Sequence, residues 1–227
     1  SEWLKNRQTD AFIQQRALAL TGNPSHPRVK LGVGNKDTLG TNEEQLLGSL
    51  RDFHEKFYSA NLMKLVLVGN QSSKELEKLA RKYFSNIKNQ KVARPVTEIS
   101  AYREQDLSKE IFIRSKIKSP IFLVEFPIKD NRSQWKSKPN QYIAKLINSQ
   151  EDGSLMTKLQ DKGLIQSGQV TLMPSVWGKD GSAFVEYSLT EKGEKNKELI
   201  LYSTHQFIDL IKSNGIDQAY FDELASI

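Results

Sequence analysis

Cysteine is absent from the 227 residues, which excludes disulfides, thiolate zinc sites and thiol catalysis while leaving the cellular compartment open. Histidine is scarce. His26, His54 and His205 are the only three, and no two stand at ligand spacing, whereas a mononuclear catalytic zinc needs three protein ligands and an open position. The chain contains no G-x-S-x-G elbow for a serine nucleophile and no dinucleotide fingerprint. No apolar run approaches membrane-spanning length. An excess of one charge is also lacking: 33 basic against 27 acidic residues give +6. The basic residues are spread rather than blocked, so the pattern describes a solvated surface and not a nucleic-acid stripe.

What is present is α/β grammar. In Phe53–Gly69 a helical pattern ends and Leu62–Val68 reads as a strand that is apolar at nearly every position. Such a strand needs cover on both faces. Before it, Thr41 and Glu44 form a capping box for a helix whose apolar stripe is Leu46, Leu47, Leu50, Phe53, His54 and Phe57, with His54 read as packed in that stripe in preference to a metal ligand. After it, Ser72 and Glu75 cap a helix carrying Leu76, Leu79, Ala80, Tyr83 and Phe84. An earlier helix opens the chain and stops near Thr21-Gly22-Asn23-Pro24. Gly32-Val33-Gly34-Asn35-Lys36 lacks the GK[ST] ending of a phosphate cradle and reads as a loop.

Composition shifts over Lys88–Ser108, where Pro95 and scattered charge replace apolar periodicity. Beyond it, Glu110–Lys118 and Ile121–Ile128 read as neighbouring strands. Ser137 and Pro139 start a helix with Tyr142, Ile143, Leu146 and Ile147, and Gly153-Ser154 starts a shorter one that Gly163 ends. Gln169–Met173 and Ser182–Leu189 read as joined strands, Lys192–Ser213 as a helix ended by Gly215, and Ile216–Leu224 as the start of another. The expected fold class is therefore α+β, with antiparallel-rich sheets flanked by helices as α/β sandwich units. The expected divisions are 1–94, a crossover at 95–107, and 108–227. A chain that begins and ends inside helical patterns reads as a piece of a longer polypeptide. On its residues alone it carries no complete catalytic constellation.

The segments SEWLKNRQTDAF, TGNPSHPRVKLGVGNKDTL, FHEKFYSANLMKLVLVGN, FPIKDNRSQWKSKP, LINSQEDGSLMTKLQDKGL, YSLTEKG and GIDQAYFDEL, in that order, resemble the M16 zinc metallopeptidases of the insulinase and pitrilysin type. The resemblance is colinear over practically the whole chain. It implies the end of a first M16 domain and most of a second, in a zinc-dependent endopeptidase whose four related domains enclose peptide substrates in a chamber. The family's H-x-x-E-H motif does not occur in these residues. SEWLKN matches the end of the family's E-x-x-x-x-x-x-E pair and makes Glu2 a zinc ligand, its partner glutamate lying before Ser1. One ligand cannot hold catalytic zinc, so the resemblance implies zinc in the longer protein and an inactive chain by itself.

The same resemblance gives Phe12 to an apolar substrate pocket, with a plain core position as the competing reading. It maps a secondary peptide-docking surface onto Asn148, Gly153, Gly168 and Val170, where backbone hydrogen bonds to a strand edge would hold the peptide. For Gly153 and Gly168 a turn requirement competes. The implied partners are peptide substrates and the remaining M16 domains, with no nucleic acid and no membrane span. The alternative is a non-catalytic M16-like structural or peptide-binding subunit.

Overall fold

The computed structural model of the chain describes residues 20–30, 42–113, 120–175 and 178–226. Its internal contacts divide the chain into Gly32–Val96 and a larger unit made of Ser1–Leu31 with Thr97–Ile227.

In the smaller unit, helix α1 (Glu43–Phe57) starts where the Asn42 side chain accepts the Gln45 N–H at 3.0 Å, and Glu43 and Glu44 oppose the helix dipole. The cap is thus Asn42 rather than Thr41, which lies outside the described residues; asparagine caps at least as well as threonine. Helix α2 (Ser73–Phe84) opens with the expected capping box. Ser72 Oγ accepts the Glu75 N–H, and the Glu75 carboxylate accepts the Ser72 N–H at 2.9 Å.

Between these helices the structure departs from expectation. Ala60–Leu62 is a 3-10 turn, and the residues after it up to Val68 join no ladder; Val66 and Val68 are 79% and 93% exposed. On α1, Leu47, Leu50 and Phe53 are exposed, and His54 is exposed beside the Tyr58 ring rather than packed in a core. One reason covers both departures. A strand needs a paired neighbour and an amphipathic helix needs an opposing layer, and the described residues of this unit supply neither. What fixes the unit is polar. Buried Ser59 accepts the Gln90 N–H at 2.8 Å, the Ala60 N–H donates to the Lys88 carbonyl, and Asn61 Nδ2 donates to the Val92 carbonyl at 2.8 Å.

The larger unit contains strands β1 (Ile121–Lys129), β2 (Ile165–Met173) and β3 (Asp180–Leu189), antiparallel in the order β1-β3-β2. β1 pairs with β3 and not with the expected strand at Glu110–Lys118: residues 110–113 join no strand, and 114–119 lie outside the described residues. On central β3, Val185, Tyr187 and Leu189 turn into a core with Leu155, Met156, Leu159, Leu164, Ile165 and Ile200. Helices α3 (Pro139–Ile147) and α4 (Leu155–Asp161) begin where expected, at Pro139 and after the Ser154 cap. The helix expected over Lys192–Ser213 divides into α5 (Glu191–Glu194) and α6 (Lys197–Asn214). Gly215, at φ 71°, ends α6, and α7 (Gln218–Ala225) follows, capped by Asp217. Among the described residues no helix is long and apolar enough to cross a membrane. Helices α3, α4 and α6 thus cover one face of the sheet, with α6 supplying Ile200 and Thr204 to the interior.

The join between β3 and α5 is close. Thr190 donates through its N–H to the Leu164 carbonyl at 3.2 Å and through Oγ1 to the Gly163 carbonyl at 2.7 Å, while Lys192 Nζ donates to the Lys162 carbonyl. This draws Gly193 so near that a Cβ would overlap the Leu164 carbonyl oxygen. Gly193→Ala is expected to lower stability by about 1–3 kcal/mol, because backbone rather than a movable side chain blocks the methyl. A urea midpoint equal to wild type would contradict this.

A second prediction comes from buried Asp106, in the 3-10 turn Glu104–Asp106, which accepts from Arg103 Nε at 2.5 Å and from Lys109 Nζ at 3.2 Å. The Arg103 hydrogen bonds, followed by those of Lys109, hold its pKa down to about 2 against the cost of burial. Because the folded-state pKa is depressed, the stabilisation is present above the unfolded-state value of about 3.9 and disappears as pH falls through about 2. Asp106→Asn should flatten that part of the stability profile, read by thermal melting between those pH values.

Candidate functional site

Among the described residues β2 is an edge strand, and it carries two of the four positions singled out for docking, Gly168 and Val170. β2 pairs with β3 on one side, with Gly168 opposite Tyr187 and Val170 opposite Val185. At Val170 both backbone groups point away from β3. The Val170 N–H donates to Asn148 Oδ1 at 2.7 Å, and the Val170 carbonyl accepts from Asn148 Nδ2 at 3.1 Å. The period of two in an antiparallel ladder turns Gly168 and Leu172 outward in the same way. Further along, the Gln166 carbonyl accepts from Gln160 Nε2 at 3.2 Å.

Asn148 reaches β2 because α3 ends there. It is the C-cap residue, its own N–H donates to the Ala144 carbonyl at 2.9 Å, and its side chain leaves the helix toward the strand. Gly153 has φ 84° in the turn before α4, a left-handed conformation that explains glycine there. The next residue, Ser154, fixes the turn by donating to the Ser149 carbonyl at 2.8 Å. Gly168 has a different reason. A Cβ on it would sit 2.6 Å from Met156 Sδ and 2.9 Å from Tyr187 Cδ1, so the core admits no side chain at that point of the strand. The turn reading therefore applies to Gly153, while close packing accounts for Gly168. The structure brings Asn148 and Val170 into contact and puts Gly168 on the same strand, with Gly153 in the loop that joins α3 to α4.

Beside this edge a groove of about 570 Å³ is lined by Gln141, Ala144, Lys145, Asn148, Ser149 and Tyr220. Its α7 wall is held by the Tyr142 ring against Tyr220 and Phe221, and by the Asp217 N–H donating to the Tyr142 hydroxyl at 3.0 Å. Burial, with the charges of Glu151 and Glu223, raises the Tyr220 pKa. Sequence reasoning did not single out Gln141, Lys145 or Tyr220, since a groove wall shared by residues so far apart in the chain has no local spacing.

A polar cluster lies on the other face of the sheet. Glu125 Oε1 accepts from Arg28 Nη2 at 2.5 Å, Tyr102 hydroxyl at 2.6 Å and Ser182 Oγ at 2.7 Å, and the Arg28 guanidinium stacks over the Tyr102 ring. Burial, then the bond to Glu125, raises the Tyr102 pKa. Buried His26 accepts the Arg28 N–H on Nδ1, and burial together with the Arg28 charge lowers its pKa, keeping it neutral. No nucleophile–base pair arises here: Ser182 donates to a carboxylate that is already shared, and the histidine faces a backbone amide. The cluster fastens loops to the sheet.

Glu2 and Phe12 lie outside the described residues. Among the described residues no group of three His, Asp or Glu side chains could hold a metal ion. His26 is committed to Arg28, His54 stands beside Tyr58, and His205 meets the edge of Phe126. The described donors thus do not fit a zinc site.

Residues 46–227 match the family model described as "Peptidase M16 inactive domain". Protease 3 of Escherichia coli (strain K12) is 35% identical over 224 residues, covering 97% of this chain and 23% of that protein. Insulin-degrading enzyme of Homo sapiens is 34% identical over 244 residues, covering 98% of this chain and 22% of the relative. The crystal structure of pitrilysin superimposes with a TM-score of 0.81 at 31% identity, over 95% of this chain and 23% of that one. The chain thus spans less than a quarter of the length of these relatives. Its sequence, matched family model and α+β fold agree, and the chain belongs to the M16 peptidase family.

Proposed function

We propose that this chain is part of a zinc-dependent endopeptidase that degrades peptides inside a closed chamber, contributing the zinc ligand Glu2 and a surface that docks substrate. The observation that carries the reading is the colinear similarity to Protease 3 over 97% of the chain. Docking is supported by the outward row of backbone groups on β2, which an extended peptide can extend as a further strand. Val170 and Gly168 would offer main-chain bonds, and the groove beside Asn148 would take a side chain. Phe12 would line the apolar pocket next to the metal. The remaining M16 domains of the longer protein would complete both the chamber and the ligand set, and zinc would be bound there rather than by these residues alone.

A second reading, a non-catalytic M16-like structural or peptide-binding subunit, draws on the description of the matched model as an inactive domain. The sequence preceding Ser1 in the longer protein separates the two: an intact H-x-x-E-H favours the peptidase, and a degenerate motif favours the subunit.

The 227-residue chain, incubated with zinc and a long fluorogenic peptide, is expected to show no chelator-sensitive turnover, since two histidine ligands and the general base of the motif are not in it. Zinc should also leave its melting temperature unchanged, because linkage needs a native-state site. Turnover abolished by chelator would sink this reading of the chain. In the longer protein, Glu2→Gln removes an anionic oxygen donor while nearly preserving side-chain size. Bound zinc and peptide turnover should both fall sharply with circular dichroism unchanged. Full zinc content with near-normal turnover would assign Glu2 to an ordinary solvated helix.

A further inference from the structure

We infer that the Asn148 side chain is a built-in plug on the β2 edge, one that occupies the position of a docking peptide and must swing away before a peptide can pair there. The inference rests on the docking reading given above. A side-chain amide presents a carbonyl oxygen and an N–H₂ group with nearly the spacing of a peptide unit. Asn148 uses both at once on a single residue, taking the Val170 N–H at 2.7 Å and giving to the Val170 carbonyl at 3.1 Å. This is the pair of bonds that one residue of an added antiparallel strand would make. The plug sits midway along the row of outward residues, with Gly168 on one side and Leu172 on the other. A peptide crossing it in register cannot bond at Val170 while the amide remains.

The surroundings allow the plug to leave. Asn148 is the C-cap of α3, held in the helix by its backbone N–H on Ala144, so rotation of its side chain breaks no helical bond. The same side chain lines the groove of about 570 Å³ with Lys145, Ser149 and Tyr220. Rotated away from the strand, its amide exchanges Val170 for solvent. Binding is then a competition between an intramolecular and an intermolecular pair of hydrogen bonds, and the apparent affinity falls by the fraction of molecules with the plug open.

The test uses the isotopically labelled 227-residue chain and an unstructured peptide rich in valine and threonine, with affinity read by fluorescence anisotropy and contacts read by NMR. In wild type, adding peptide should move the Asn148 side-chain N–H₂ signals toward solvent-exposed values while the Val170 amide stays protected. Asn148→Ala should bind the peptide about tenfold tighter, as loss of roughly one net hydrogen bond from the competing state predicts. Its free form should exchange the Val170 amide faster. Asn148→Asp keeps an acceptor for the Val170 N–H but sets a lone pair against the Val170 carbonyl, so it should fall between the two. Should Asn148→Ala lose its fold, the wild-type N–H₂ signals alone decide. If the β2 amides respond to peptide but Asn148 does not move and the variants bind no tighter, the plug is wrong and docking on β2 stands. If no variant binds, or peptide binds without touching β2, the docking reading fails and takes the plug with it.

Discussion

Strand β3 has to be covered on both faces, and the larger unit is arranged around that requirement. It is the middle strand, so its backbone is paired on both sides, and what remains is to exclude water from its two rows of side chains. On one row Val185, Tyr187 and Leu189 enter an apolar core. Tyr187 brings a hydroxyl into it, and burial raises its pKa to about 12. The hydroxyl is satisfied because Thr204 on α6 accepts from it at 2.7 Å while donating its own hydrogen bond to the Ile200 carbonyl. One buried polar atom thereby ties α6 to the sheet in a fixed rotation.

The other row is covered at its Ser182 end by charge. Ser182 is fully buried under Glu125, Arg28 and Tyr102, with Arg28 arriving from the loop after the first helical pattern and Tyr102 from the crossover. Asp180 extends the seam by accepting from Ser100 Oγ and the Ala101 N–H, and Asn23 pairs with the same stretch through the Ala101 and Ser100 carbonyls. A buried ion pair contributes little net stability once desolvation is counted, but losing one partner leaves the other uncompensated and costs about 3–5 kcal/mol. Its geometry is also demanding, since each donor must meet the same carboxylate oxygen. The cluster therefore fixes where two irregular loops lie, a task that apolar contact alone performs with less directional precision.

How far the sequence reveals this follows from how local each feature is. Caps and turn glycines were legible: Ser72 with Glu75, Ser154, Gly163 and Gly215 act within a few residues of themselves. The strands expected at Ile121–Ile128 and Ser182–Leu189 announced themselves by apolar content, but their pairing with each other, across some fifty residues of chain, did not. Leu62–Val68 had the same apolar content but did not become a strand, because apolar content says what a segment could bury and pairing depends on a neighbour that the segment does not encode. Asn148 and Val170 could be named from resemblance to a family. Their mutual bonds could not, for nothing in residues twenty-two apart along the chain signals that one amide lies on the other's backbone. Gly168, given to the docking surface with a turn requirement as the competing reading, leaves space for Met156 and Tyr187, which no local pattern announces.

The covered positions on β2 have a consequence for solubility. An edge strand with free N–H and carbonyl groups is a template for any other strand, including the same strand of a second molecule, and proteins survive concentration by blunting such edges. On β2 the blunting comes from two neutral amides, Gln160 on the Gln166 carbonyl and Asn148 on Val170, with neither proline nor a charge set into the strand itself. An amide is a reversible guard: it occupies the hydrogen-bonding positions without filling the strand with charge. The strand stays pairable beneath its cover, so resistance to self-association and readiness to receive a partner strand are properties of the same two side chains.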